Sequence, residues 1–332
     1  MGEAKKLALL GACALCAYML WSGPDRTTAQ DPPPAVQTNE QTAPKETSPE
    51  KARAEEAQAA LSVPASAARD WEGNPFISSR AEEAIGMRIG NDALIRNETS
   101  FEIDVPEIVR SGTELRLGSG QPQILIIHTH SSEAYTQAGL DRYEESDSCR
   151  TEDSEHNIIR VGDELARLLE DAGLNVLHDR GVYDYPSYTG SYTRSGTAVE
   201  GYLSEYPSIR IVLDVHRDAL GTDGVIYKTV AEEEGTCASQ AMLLVGTDES
   251  GLEHPGWRQN LSLALYLQNA VLQVHPTLMR PVAVVPQRYN QQLCPGMLIL
   301  EVGSSGNTMQ EALSAVRLFA QAAAPALLEL QE

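Results

Sequence analysis

The chain is short of cysteine, of basic charge and of the usual nucleotide- and serine-hydrolase motifs. Its five cysteines include Cys13 and Cys16, which sit in an apolar segment. The remaining three, Cys149, Cys237 and Cys294, cannot complete a disulfide framework, and their spacing fits no zinc ribbon. A Cys237–Cys294 bridge has no support in the pattern, and all three are read as incidental. Lys and Arg number 25 against 47 Asp and Glu, a net charge of −22. No basic stripe is available to neutralise phosphates, which excludes nucleic acid as a partner. Gly118-Ser119-Gly120 precedes a strand rather than following one, so it is no dinucleotide fingerprint. There is no Gly-x-Ser-x-Gly elbow, and His216-Arg217-Asp218 comes without a kinase glycine-rich loop or Asp-Phe-Gly. No internal repeat is evident.

Long apolar runs are also scarce. Residues 7–21 carry no charge and follow Lys5-Lys6, but they fall short of the roughly 20 residues a spanning helix uses. Lys5 and Lys6 can snorkel at one end while Tyr18 and Trp21 sit at the other interface. Residues 1–22 are therefore expected to be an uncleaved membrane anchor with the basic end cytoplasmic. A cleaved signal peptide and lipidation at Leu10-Gly11-Ala12-Cys13 are the alternatives. All three export the rest of the chain. Residues 23–100 are rich in Pro, Ala, Gln, Glu, Ser and Thr, with little apolar surface to offset the entropy of ordering, and are expected to be a disordered tether.

What is present lies in residues 101–332, where apolar β-branched runs alternate with helical patterns. Strands are expected at 123–128, 174–178, 209–215, 224–230, 241–246, 282–286 and 297–302. Helices are expected at 157–172, 194–205, 257–274 and 308–330. Ile158, Val161, Leu165 and Leu169 recur at helical spacing, and Gly173 supplies a C-terminal stop. Such alternation predicts an α/β fold: a single twisted, largely parallel sheet with helices on both faces.

Three of these strands end in residues that bind metal or move protons. They are Ile124-Leu125-Ile126-Ile127-His128-Thr129-His130, Ile211-Val212-Leu213-Asp214-Val215-His216 and Met297-Leu298-Ile299-Leu300-Glu301-Val302-Gly303. Ligands bind outside the carboxyl ends of strands in open α/β sheets, so His, His and Glu at one edge predict a hydrolytic zinc site. A charge at Glu301, closing an apolar run, is costly unless it meets a metal or a substrate. His128 lies on the same face as His130 if the chain stays extended, so either could ligate while the other supports it from behind. Catalytic zinc takes three protein ligands, often two His and a carboxylate, with a further glutamate as base. Glu301 suits the base. The third ligand is then sought in Glu152-Asp153-Ser154-Glu155-His156, ahead of the helix at Asn157, with Glu133 next in line.

These residues resemble the stage II sporulation protein P family. The resemblance rests on His128-Thr129-His130-Ser131-Ser132-Glu133-Ala134-Tyr135, Leu213-Asp214-Val215-His216-Arg217-Asp218-Ala219 and Glu301-Val302-Gly303 with Gly306-Asn307-Thr308. Tyr188-Thr189-Gly190-Ser191-Tyr192-Thr193-Arg194-Ser195 and Arg288-Tyr289-Asn290-Gln291 add to it. That family is similar in fold to zinc-dependent N-acetylmuramoyl-L-alanine amidases. The resemblance implies His130 and His216 as zinc ligands, Glu301 as the catalytic acid/base and His128 as a non-ligand. Its alignment of the helix start points to Asp153 as the third ligand, with Glu155 or His156 as alternatives. It also implies hydrolysis of septal peptidoglycan during engulfment, amidase and endopeptidase activities, and action alongside stage II sporulation proteins D and M. A non-catalytic wall-binding or assembly protein on the same fold is the competing reading.

Overall fold

The computed structural model describes residues 94–222, 225–233 and 236–332, with the backbone of 84–87. In chain order the elements are β1 Ala84–Met87, β2 Ile95–Asn97, α1 Val105–Ser111, β3 Ile124–Ile127, α2 Ile158–Asp171, β4 Val176–His178 and α3 Ser191–Glu205. They continue with β5 Ile211–Asp218, β6 Gly221–Thr222, β7 Val225–Thr229, β8 Ala231–Glu233, β9 Thr236–Ala238 and β10 Ala241–Gly246. The last are α4 Trp257–Val274, β11 Val282–Val285, β12 Met297–Ser304 and α5 Met309–Leu328. The expected anchor at 1–22 and most of the expected tether lie outside the described residues. Among the described residues no helix is long and apolar enough to cross a membrane.

The main sheet has seven strands in the order β2-β11-β10-β12-β5-β3-β4. Helical crossovers through α2, α3 and α4 join β3 to β4, β4 to β5 and β10 to β11. Strands β12, β5, β3 and β4 run mutually parallel, and β10, β11 and β2 likewise. The two blocks meet antiparallel at β10 and β12. The largely parallel sheet is therefore present, with one reversal. Its cause is the link from β11 to β12, which holds only a short 3₁₀ turn, Gln291–Leu293, and no helix to carry a parallel crossover.

Two expectations need correcting. The strand expected at 224–230 forms, but in a separate sheet of order β1-β7-β6. The short stretch 219–224 between β5 and β7 cannot make a parallel crossover, so the chain turns back through β6 as a hairpin. The sheet also begins earlier than Phe101: β2 pairs with β11 from Ile95 onward.

Strand alternation divides the core by face. Ile124, Ile126, Leu213, Val215, Leu298 and Leu300 pack with α2, α4 and α5 in one large cluster. Leu125, Ile127, Val212 and Met297 point the other way, onto Val199 of α3 with Tyr202 and Leu203 beside it. Fully burying each such aliphatic side chain stabilises by about 1.5–3 kcal/mol. Three long helices thus cover one face, and α3 with the 286–296 segment covers the other.

Helix ends follow the local chemistry. In α2 the buried residues Ile158, Val161, Leu165 and Leu169 form the apolar stripe, and Asn157 caps the start by accepting from Ile159 N. At its end Gly173 adopts φ 101. Gly173 N–H donates to Glu170 O and Leu174 N–H to Leu169 O, the paired bonds of a left-handed glycine stop. The start of α5 carries a capping box between Thr308 and Glu311.

Candidate metal centre

The parallel neighbours β12, β5 and β3 bring their carboxyl ends together. In β5 the period of two places Asp214, His216 and Asp218 on the face shared with Val212. Glu301 lies directly opposite His216 in the ladder. The strand bends immediately afterwards: Gly303 takes φ 68, and a Cβ there would stand 2.8 Å from Ser239. After β3 the chain leaves the extended state and turns through Thr129 and His130.

This arrangement collects His130, Glu133 and His216, all buried, with one ligand atom from each within 4.8 Å of the others. His130 Nδ1 is 3.5 Å from Glu133 Oε1, and His216 Nδ1 is 3.3 Å from Glu133 Oε2. The donor set fits a catalytic divalent metal in kind, two imidazoles and a carboxylate. His130 Nε2 is buried without a hydrogen-bond partner, an orphan that protein alone does not explain.

The charges around the group have identifiable causes. Burial alone would raise the Glu133 carboxyl, but Arg217, His130 and His216 hold it well below the usual carboxylate range. Burial would lower the His216 imidazole, but the carboxylates Asp214 and Glu133 raise it well above its ordinary value. Metal binding at such a histidine must displace a proton. Asp214 stands behind His216, its Oδ1 2.9 Å from Nε2 but out of hydrogen-bond alignment. Asp214 is itself fixed by Thr129, whose N–H and Oγ1 donate to its two oxygens at 2.8 and 2.7 Å.

Glu301 differs from every other acid in the group. It is 1% exposed, and neither carboxylate oxygen has a hydrogen-bond partner. Burial pushes its pKa up to about 8, with Asp218 and Glu133 adding to the rise while His216 and Arg280 oppose it. Asp218 is engaged elsewhere, in a 2.7 Å ion pair with buried Arg280.

Asp153, first in line from sequence for the third position, falls outside the group. Its side chain is 52% exposed and approaches only His156, at 3.9 Å. Its Oδ1 accepts from Glu155 N–H in a tight turn. Glu155 is exposed, and His156 faces Asp141 and Asp153. The reason lies in the backbone. Ala134 N–H donates to Cys149 O and Thr151 N–H to Ser132 O, pinning 149–151 against the His130 loop. Past Thr151 the chain turns outward. Glu133, the last of the sequence candidates, occupies the third position instead.

His128 lies outside the group, as the resemblance implies, but not on the face of His130 that an extended chain would give it. It continues the β3 alternation onto the opposite face, beneath α2. Its Nδ1 lies 2.9 Å from Val215 O, and a carbonyl only accepts, so Nδ1 carries the proton. Its Nε2 then accepts from His178 Nε2 at 2.8 Å. His178 in turn meets Asp163 at 3.1 Å. The turn at Thr129 is what separates the two histidines.

Two tyrosines from one of the sequence motifs wall the site. Tyr188 stacks on the His130 ring at 4.6 Å, and Tyr192 meets it edge-on at 5.4 Å. Asn290 Nδ2 ties a second motif to this one by donating to Tyr192 O at 2.7 Å. Sequence reasoning passed over Asp214, Asp184 and Arg150. Asp214 was findable, because an acid inside an apolar strand, two residues from His216, shares its face. Cys149, Cys237 and Cys294 are free thiols.

The chain is similar to several solved structures at low identity. One is the N-acetylmuramoyl-L-alanine amidase AmiC2 of Nostoc punctiforme: 13% identity, TM-score 0.35, 64% of this chain and 98% of that one. Another is the catalytic domain of the CD27L endolysin targeting Clostridia difficile: 12% identity, TM-score 0.38, 63% and 98%. The catalytic domain of CwlV, an N-acetylmuramoyl-L-alanine amidase from Bacillus (Paenibacillus) polymyxa var. colistinus, gives 12%, 0.36, 62% and 97%. No curated protein matches the chain. The model of the stage II sporulation protein P family matches residues 20–324, and the chain belongs to that family.

Proposed function

We propose that the protein is a zinc-dependent peptidoglycan hydrolase that cleaves the amide between N-acetylmuramic acid and L-alanine, with peptide cross-links as a second target. Family membership supports the setting, and the motif resemblance supports the substrate class. The observation that carries the hydrolytic reading is Glu301: a buried carboxylate without a partner, beside two histidines and a glutamate gathered for a metal. A wall-binding scaffold gains nothing from such a group, since an unpaired buried acid costs stability.

His130, Glu133 and His216 would hold the ion, which supplies Lewis acidity at the scissile amide. Glu301, held as the acid at neutral pH by burial, would ionise with a cation beside it. Its carboxylate then takes a proton from the attacking water and passes it to the departing amide nitrogen. With no competing hydrogen bond, its oxygens are free for that transfer. Asp214 orients the His216 ring, and Tyr188 and Tyr192 keep bulk water from His130. We further place the domain outside the cytoplasmic membrane on the anchor at 1–22 and its tether. There it acts on septal wall during engulfment with stage II sporulation proteins D and M.

The test is digestion of purified sacculi by the full chain, with and without a chelator, beside Glu301→Gln. Losing a positioned acid/base costs about 10²–10⁴-fold in rate. The expected result is that loss with metal content and folding intact. A Gln variant as active as the parent refutes the role, and a chelator without effect refutes the metal.

A further inference from the structure

One guanidinium touches Glu133 directly and reaches His130 through a tyrosine ring, the two members of the metal group that the strands do not hold. Arg150 Nη2 lies 3.4 Å from Glu133 Oε1. Its Nη1 donates to Ser132 Oγ at 3.1 Å and to Asp184 Oδ2 at 2.8 Å. Its charge sits 4.9 Å above the centre of the Tyr188 ring, and that ring stacks on His130. Asp184 completes the clasp by accepting from Ser131 Oγ at 2.9 Å and from Ser132 N–H and Oγ at 3.1 and 2.6 Å. Every residue from His130 to Glu133 is therefore held, directly or through one partner, by Arg150 and Asp184.

We infer that Arg150 is a positioning residue for the metal group, setting the Glu133 carboxylate directly and the His130 ring through Tyr188. This rests on the reading of His130, Glu133 and His216 as metal ligands. Arg217 also approaches Glu133: its guanidinium lies 3.8 Å from Oε1 and its backbone N–H donates to Oε2 at 3.2 Å. The side chain's hydrogen bonds, however, go to the backbone carbonyls of Ala134, Cys149 and Asp218. It anchors the chain rather than the ring. Arg150 is placed by Cys149, whose left-handed φ of 51 turns the next side chain toward the site. The loop expected to donate a ligand thus reaches the metal group with a cation. That cation does not simply repel a metal, because Asp184 stands closer to it than Glu133 does and balances its charge. Geometry, planar and two-pronged, is what lysine cannot reproduce.

The experiment is zinc titration of the full chain carrying Arg150→Lys, Arg150→Gln, Tyr188→Leu or His216→Ala, with thermal unfolding of each metal-free protein. Residues supporting metal ligands typically cost 10–100-fold in affinity when replaced. Both Arg150 variants are expected to lose about that much at a temperature where the metal-free protein is folded, with Arg150→Lys, which keeps a cation beside Asp184, unfolding nearer the parent than Arg150→Gln. Tyr188→Leu should lose less, and the Arg150→Gln/Tyr188→Leu double variant no more than Arg150→Gln alone, because both act through one contact. Full affinity in Arg150→Lys, or tighter binding in Arg150→Gln, overturns the inference by showing charge alone at work. Should an Arg150 variant not fold, Tyr188→Leu decides: unchanged zinc affinity overturns the His130 arm. His216→Ala separates this from the underlying reading. If it binds zinc like the parent, the ligand assignment fails; if it loses zinc while the Arg150 variants keep it, only the Arg150 inference fails.

Discussion

The candidate site is built from two kinds of backbone. His216 and Glu301 stand opposite each other on adjacent parallel strands, so ladder hydrogen bonds and the apolar faces of β5 and β12 fix their spacing. His130 and Glu133 follow β3 in a turn with no ladder. They are held by isolated backbone bridges to Arg150 and Asn157 and by side chains: Thr129 on Asp214, Ser131 and Ser132 on Asp184, Arg150 on Glu133. The strand half is thus specified by the apolar packing of two core faces, and the loop half largely by single polar residues. Conservative changes should be tolerated around the first and felt around the second.

The sharpest test of that contrast replaces one ligand from each half. Glu133→Ala and His216→Ala are both expected to lose metal and, with it, all hydrolysis, since a catalytic zinc needs its three protein ligands. Metal content of the purified variants measures this. The metal-free proteins should then differ. Glu133→Ala leaves Arg217 and Arg150 facing each other without their shared carboxylate, whereas His216→Ala removes a charge from among acids. Unfolding by denaturant without metal should show the larger loss in Glu133→Ala. Retention of metal in Glu133→Ala would remove Glu133 from the ligand set.

The same contrast explains what the sequence disclosed. β3, β5, β10 and β12 were legible because a buried strand is a short apolar run, and β3, β5 and β12 ended where a ligand or acid stands. The helices α2 and α4 were legible through apolar spacing and stops such as Gly173. The loop half was not. Nothing in Ser131-Ser132-Glu133 announces that Glu133 turns inward. That follows from Arg217 and Arg150, which arrive from 84 and 17 positions away. Asp153 looked the better candidate because the family resemblance, aligned at the helix start, points to it. The local turn instead spends its carboxylate on Glu155 N–H. The small β1-β7-β6 sheet was hidden for another reason: a strand pattern does not state which sheet it joins.

Smaller effects probe the far side of β3. Gly162 of α2 lets the helix approach His128 and His178, and an added Cβ would lie 2.4 Å from His128 Nε2. Gly162→Ala is expected to cost about 1–3 kcal/mol by overpacking, read from denaturant midpoints. It should leave metal affinity nearly unchanged, because His128 lies on the face away from the metal group. A fall in zinc affinity as large as that of Glu133→Ala would mean that the faces are coupled through Val215. His128 also gives the fold a pH dependence. Burial, with His178 beside it, lowers its pKa to about 3, below the 6.5 or so of an unfolded histidine. The unfolded chain then binds the extra proton between those values, so stability is full above pH ~6.5 and falls as pH drops toward ~3. His128→Gln should flatten that part of the metal-free stability profile.

The smallest expected effect is the most discriminating for the loop half. Asp153 sits within one turn of the helix that begins after Asn157, near enough in sequence to compete with Glu133 for the third position. Its side chain is half-exposed, and its one close ionic neighbour, His156, is 3.9 Å away. Exposed pairs of that kind contribute roughly 0–1 kcal/mol. Its hydrogen bond to Glu155 N–H lies at the surface, where water replaces it. Asp153→Ala should therefore change stability by no more than about 0.5 kcal/mol and leave zinc affinity at the parent value. Titrated beside Glu133→Ala, the two variants assign the ligand without a structure. If Asp153→Ala loses the metal and Glu133→Ala keeps it, the 141–156 loop must swing inward when the ion binds. Arg150, which now holds Glu133 from that loop, would have to leave it.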